Sequence, residues 1–170
     1  MTVEVKRRRL ADRSPRRPIH AFPILARVSQ DPVDLDLLTA ALAIDLVEQP
    51  LAPEICLDLT PTDRPDLTGM NWTLRVNADH DPVRRRFSIA HAIGHVVMHA
   101  GLIGDGLSDD LSYRCAGDRT PANARIRPDH ESSANRIATD ILMPGDAVRR
   151  RHAELPDLGA LAAHFRVRPA

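Results

Sequence analysis

Aromatic side chains are nearly missing from this chain of 170 residues: they make up 3 %, with one Trp and one Tyr. Its core must therefore be aliphatic, built from Leu, Ile, Val and Ala, and the length suits one domain with a real core. Lysine is nearly missing too. Only Lys6 is lysine and every other basic residue is arginine, a bias that genome composition produces as readily as chemistry does. No run of about 18 apolar residues exists, which argues against a membrane span. No apolar stretch follows the basic start, so the sequence reads as lacking a signal peptide. The two cysteines, Cys56 and Cys115, lie far apart without Cys-x-x-Cys spacing, and Cys115 sits in a polar stretch with no motif around it. These features together place the chain, by expectation, in the cytoplasm with reduced thiols. Internal repeats, a glycine-rich phosphate loop and a Gly-x-Ser-x-Gly elbow are all absent.

Charge is balanced overall, with 23 basic and 23 acidic residues, but unevenly distributed. The first twenty residues hold Lys6, Arg7, Arg8, Arg9, Arg13, Arg16 and Arg17 against Glu4 and Asp12, a net of +5, so the remainder carries −5. Residues 1–28 read as a basic, proline-punctuated, disordered arm ahead of one folded domain over 29–170. A solvated tail accounts for the arm more simply than a nucleic-acid contact does, although the charge would suit either.

Periodicity predicts a helix over Asp34 to Ala43, with Leu35, Leu37, Leu38, Ala41 and Leu42 on one side. Ile44–Val47, Ile55–Leu59, Leu67–Met70 and Trp72–Asn77 read as short strands, the last two as a hairpin through Asn71, and Thr60–Asp66 as a turn. Asp81-Pro82 starts a long helix with Asp as cap and Pro in its first turn, and Gly101 is its expected stop. Phe87, Ile89, Ala90, Ile93, Val96 and Val97 make it mostly apolar, so it should be deeply buried. Residues 102–128 lack periodicity and read as a long loop, made partly basic by Arg114, Arg119, Arg125 and Arg127. Asp129 is a candidate cap for the next helix, which Pro144 limits. A short helix over Gly145–Ala153 follows, then one over Leu158–Phe165 capped by Asp157.

The long helix carries the most informative feature. His91 and His95 are four apart, hence on one helical face and roughly 6 Å apart along the axis. Their rings can converge on one ion at metal–nitrogen distances of about 2.0–2.1 Å. The usual zinc-peptidase pattern is His-Glu-x-x-His, in which the Glu is the general base. Here Ala92 stands in the Glu position. Alone, a His-x-x-x-His pair is more often two hydrogen-bonded histidines of a buried helix. His99 extends the series, but it lies about 12 Å from His91 along the axis, so it reads as packing or as support around the site. Glu131, in the first turn of the following helix, is the best third ligand. Asn135, one turn on and on the same face, could hydrogen-bond a ligand histidine. The plainer alternatives are a Glu that offsets the helix dipole and a surface Asn.

These two segments resemble the ImmA/IrrE family of zinc metallopeptidases. Arg86-Phe87-Ser88-Ile89-Ala90-His91-Ala92-Ile93-Gly94-His95 is similar to the family's Arg-Phe-x-x-Ala-His-Glu-x-Gly-His helix. Glu131-Ser132-Ser133-Ala134-Asn135 through Leu142-Met143-Pro144 is similar to its Glu-x-x-Ala-Asn-x-x-Ala-x-x-Leu-Met-Pro helix. The opening helix and the strand segments before the histidines follow in the family's order, so the resemblance spans about residues 30–165. It implies an α+β zincin-like metallopeptidase domain, a small sheet packed on a helical core with the metal between two helices. It implies Zn2+ bound by His91, His95 and Glu131, Asn135 supporting them, and a missing general base at Ala92. The family's pattern continues past Ala170 with more helix, so the C-terminal end is expected to be shortened.

The resemblance further implies proteolysis of a regulatory protein, often a helix-turn-helix repressor. With Ala92 the chain is expected to be inactive or strongly impaired, since a positioned general base contributes typically about 10²–10⁴-fold. Ala92 fits equally a peptidase disarmed by one substitution and a pseudopeptidase that binds a partner as a regulator. A nucleic-acid-binding module using the basic arm is the third reading.

Overall fold

The computed structural model describes residues 31–62, 72–103, 113–116 (as backbone) and 126–169. The basic arm, the Leu67–Met70 segment and the turn at Asn71 lie outside the described residues. The first helix, α1 (Leu35–Ala41), begins where the sequence places it, with the Asp34 carboxylate accepting from the N–H groups of Asp36 and Leu37 at 3.0 and 3.1 Å. It ends two residues short of Ala43, which takes a left-handed φ of 55° and turns the chain into the sheet. Leu35, Leu38 and Thr39 face inward, whereas Leu37, placed on the apolar side by the sequence, is exposed.

Four strands follow: β1 (Ile44–Gln49), β2 (Ile55–Pro61), β3 (Trp72–Asn77) and β4 (Tyr113–Ala116). Their order is β1-β3-β2-β4, with β1 parallel to β3 and the other pairs antiparallel. Two expectations change here. Thr60 and Pro61 are strand rather than turn, because they pair with Thr73 and Trp72. The stretch read as a loop over 102–128 contributes β4 at the sheet edge; its four residues are too few for a period to register. Buried Asn77 locks one end of the sheet. Its Oδ1 accepts from the backbone of Leu51 and Asp79, and its amide donates to the carbonyls of Ala52 and Ile55.

One sheet face packs on α2 (Pro82–Ile103). Leu57, Leu59, Leu74, Val76, Ile89, Ile93 and Trp72 are buried together, the aliphatic core that the composition requires. Asp81 caps α2 through a 2.9 Å bond from the Arg84 N–H. The helix runs through Gly101 to Ile103, so Gly101 is not its stop; its one departure from helical angles is at His99 (φ −130°, ψ 16°). Phe87, expected inside, is 40 % exposed.

The next helix, α3 (Pro128–Leu142), starts earlier than expected, with Arg127 rather than Asp129 at the cap position and Pro128 in the first turn. Asp129 instead pairs with the Arg127 guanidinium at 3.0 Å. Ala134, Ala138, Ile141 and Leu142 give α3 its buried stripe. Then α4 (Gly145–Glu154) and α5 (Leu158–Phe165) close the domain, with Asp157 accepting from the Ala160 N–H at 2.6 Å. Asp31 ties both back to the start of the domain through Arg151 (2.8 Å) and His164 (3.1 Å). No helix among the described residues is long and apolar enough to cross a membrane.

Helices α2 and α3 meet at Gly94. A Cβ there would fall 2.9 Å from both the Cα and the carbonyl oxygen of Ala134, so only glycine permits this approach. Gly94→Ala should raise helix propensity by roughly 1 kcal/mol, but overpacking against backbone costs about 1–3 kcal/mol. The expected net result is a melting temperature several degrees lower. An unchanged or higher melting temperature would show that the two backbones part freely.

Candidate metal centre

His91 and His95 face α3 because side chains four apart share a helical face and lean toward the helix N-terminus. Glu131 meets them from the first turn of α3. His91 Nε2 and His95 Nε2 are 3.1 Å apart. Glu131 presents Oε2 to His91 Nε2 at 3.2 Å and Oε1 to His95 Nε2 at 3.5 Å. These three residues form the group that could hold a metal ion among the described residues, with their donor atoms within 4.8 Å of one another. A tetrahedral zinc with bonds of about 2.0–2.1 Å places neighbouring donors about 3.3 Å apart. The observed spacings bracket that edge, so the donor set fits zinc in chemistry and size.

Electrostatics favour the same conclusion. Both histidines are buried, and His95 has no exposed surface. Burial pushes the pKa of His95 below its usual value, opposed by the hydrogen bond and charge of Glu131. A neutral imidazole keeps the lone pair that a metal needs. His91 Nδ1 lies 2.9 Å from Asn135 Oδ1. Donation of Nδ1–H to that oxygen leaves Nε2 bare and aimed at Glu131 and His95. Asn135 thus sits where its spacing from Glu131 suggested.

A cleft of about 550 Å³ opens beside His91, Glu131 and Asn135. Phe87 stacks on His91 with ring centroids 6.2 Å apart, and Arg84 donates to the Cys56 thiol across the cleft at 3.1 Å. Sequence reading missed these lining residues. The signal was available in part: Arg84, Phe87, Ser88 and His91 recur at helical spacing on one face. Cys56 arrives from β2, which no local pattern links to α2.

Ala92 is fully buried and belongs to the main core. Ser88, one turn earlier on the same side, lines the cleft. A longer side chain at 92 would lean toward that turn. Among the described residues lining the cleft, Glu131 is the one carboxylate, and it belongs to the triangle with His91 and His95 rather than standing apart.

Comparisons with known proteins bear on the fold and the family. No curated protein matches the chain. A transcriptional regulator from Mycobacterium tuberculosis has a similar fold, with a TM-score of 0.52 and 21 % identity over 89 % of this chain. The matched region is 43 % of that regulator's length. The profile of the IrrE N-terminal-like domain, a peptidase family, matches residues 41–170. The α+β architecture and the histidine and glutamate helices both lie within that span, and the chain belongs to the IrrE N-terminal-like peptidase family.

Proposed function

We propose that this chain is a zinc-binding domain of the metalloendopeptidase type that lacks its general base, and that it engages a regulatory protein in the cleft beside His91. The observation that carries the reading is the triangle of His91 Nε2, His95 Nε2 and a Glu131 oxygen, with edges of 3.1–3.5 Å. Zinc held there would polarise a scissile carbonyl and acidify water. His91, His95 and Glu131 would hold the ion, and Asn135 would keep His91 in the right tautomer. Position 92 ends at Cβ and so offers no group to take a proton from water and pass it to a leaving amine. Efficient turnover is therefore not expected.

The nature of the partner rests on the family and on the name of the similar fold, a transcriptional regulator. A helix-turn-helix repressor is the substrate class that the family suggests. A second reading, a pseudopeptidase that binds its partner without cutting it, is favoured by one observation: Ala92 is packed into the main core, where a carboxylate would have to find room.

Protein purified without chelator should contain about one zinc per chain by elemental analysis, and His95→Ala should lose it. Retention of zinc by that variant would move the site elsewhere.

Asn135→Ala should weaken zinc affinity about 10–100-fold, the usual cost of a lost partner of a ligand histidine. Complete loss of binding would make Asn135 a ligand, and no change would detach it from the metal.

Ala92→Glu separates the two readings. A disarmed peptidase should gain on the order of 10²–10⁴-fold in cleavage of a co-expressed repressor from the same genomic neighbourhood, with zinc content unchanged. Equal zinc and no cleavage would favour the pseudopeptidase. Equal, robust cleavage by both forms would mean that another residue is the base.

A further inference from the structure

We propose that His99 is a positioning residue: it accepts a hydrogen bond from His95 and thereby presents the Nε2 lone pair of His95 to the metal. The proposal rests on the reading of His91, His95 and Glu131 as zinc ligands and extends it to a residue with no ligand role.

The two ligand histidines have their outer nitrogens engaged from different directions. Asn135 on α3 holds His91 Nδ1 at 2.9 Å. For His95 the corresponding contact is to its own helix: His99 Nδ1 lies 3.2 Å from His95 Nδ1. Side chains on a helix lean back over the preceding turn, so His99 covers His95 as His95 covers His91. The backbone of α2 leaves helical angles at His99 itself. The ring is buried, 5 % exposed, and packs against His130 with centroids 4.7 Å apart. His130 is in turn anchored, its Nδ1 accepting from the Arg127 N–H at 3.2 Å.

Two nitrogens facing each other at this distance can share only one proton if both rings are neutral. Metal binding through His95 Nε2 requires the proton of neutral His95 to be on Nδ1. Then His95 Nδ1–H donates, His99 Nδ1 accepts, and the proton of His99 is on Nε2. The opposite arrangement would put the His95 proton on Nε2, pointing into the triangle and blocking a ligand position. The identity of position 99 thus bears on the metal through the tautomer of His95, although its own ring is a turn away from the ion.

The test measures zinc affinity of the full chain by competition with a chromophoric chelator. His99→Phe keeps a ring but removes the acceptor; affinity should fall about 10–100-fold. His99→Asn restores an acceptor oxygen near the place of Nδ1, and affinity should return to within about threefold of the unmodified chain. Melting temperatures of the metal-free proteins report folding separately. A role in packing alone predicts that Asn, which fills less of the ring's space, harms binding at least as much as Phe. Unchanged affinity in His99→Phe, or equal losses in both variants, would overturn the proposal. Should His99→Phe not fold, nitrogen-15 NMR of the unmodified zinc-loaded chain decides: protons on His95 Nδ1 and His99 Nε2 are expected, and a proton on His99 Nδ1 would overturn it. An unmodified chain that binds no zinc would instead defeat the ligand reading itself, whereas zinc bound normally in both chains defeats only the role of His99.

Discussion

The close approach of α2 and α3 at Gly94 and Ala134 is the constraint on which the rest depends. A helix pair separated by one more methyl group would hold the Glu131 carboxylate farther from His91 and His95, whose nitrogens it now meets at 3.2 and 3.5 Å. The same contact sets where Asn135 falls, because Ala134 and Asn135 are consecutive on α3. Small residues line the seam: Gly94 on one side, Ala134 and Ala138 on the other, all buried. The sheet serves this pair by covering the opposite side of α2 with Leu57, Leu74 and Val76, which fixes the helix in rotation as well as in place.

Inside that frame, the buried histidines meet one another in a series. His91, His95, His99 and His130 are all buried, and each has its contact in the series that runs from Asn135 to the Arg127 backbone. Burial holds His95 toward its neutral form, the form in which an imidazole keeps a lone pair free for a metal. A row of cationic histidines at these distances would repel itself and would also be costly to desolvate. The packing that stabilises the fold therefore also prepares the donors.

Position 92 shows how much chemistry one side chain can hold. The triangle of His91, His95 and Glu131, the group that could hold a metal ion, does not include it. Its Cβ is packed in the core beside the turn that carries Ser88, and Ser88 lines the cleft. A carboxylate there would add a titratable group beside a cleft in which Glu131 is the one carboxylate among the described lining residues. Alanine offers no such carboxylate in a domain of the IrrE N-terminal-like peptidase family.

Local signals in the sequence determined much of this protein. The helix start near Asp34, the Asp81 and Asp157 caps, the four-residue spacing of His91 and His95, and the place of Glu131 in a helix's first turn are all short-range patterns, and the structure places each within a residue or two. Family motifs added the pairing of the two helices. The tertiary structure alone decided what depends on partners distant in the chain. It inserted β3 between β1 and β2, and it made a strand of Tyr113–Ala116, whose four residues carry no period of their own. It carried α2 past Gly101 to Ile103. It exposed Leu37 and Phe87, whose apolar character speaks for burial until the neighbouring elements are in place. Helical periodicity says which residues share a face; only packing says what that face meets.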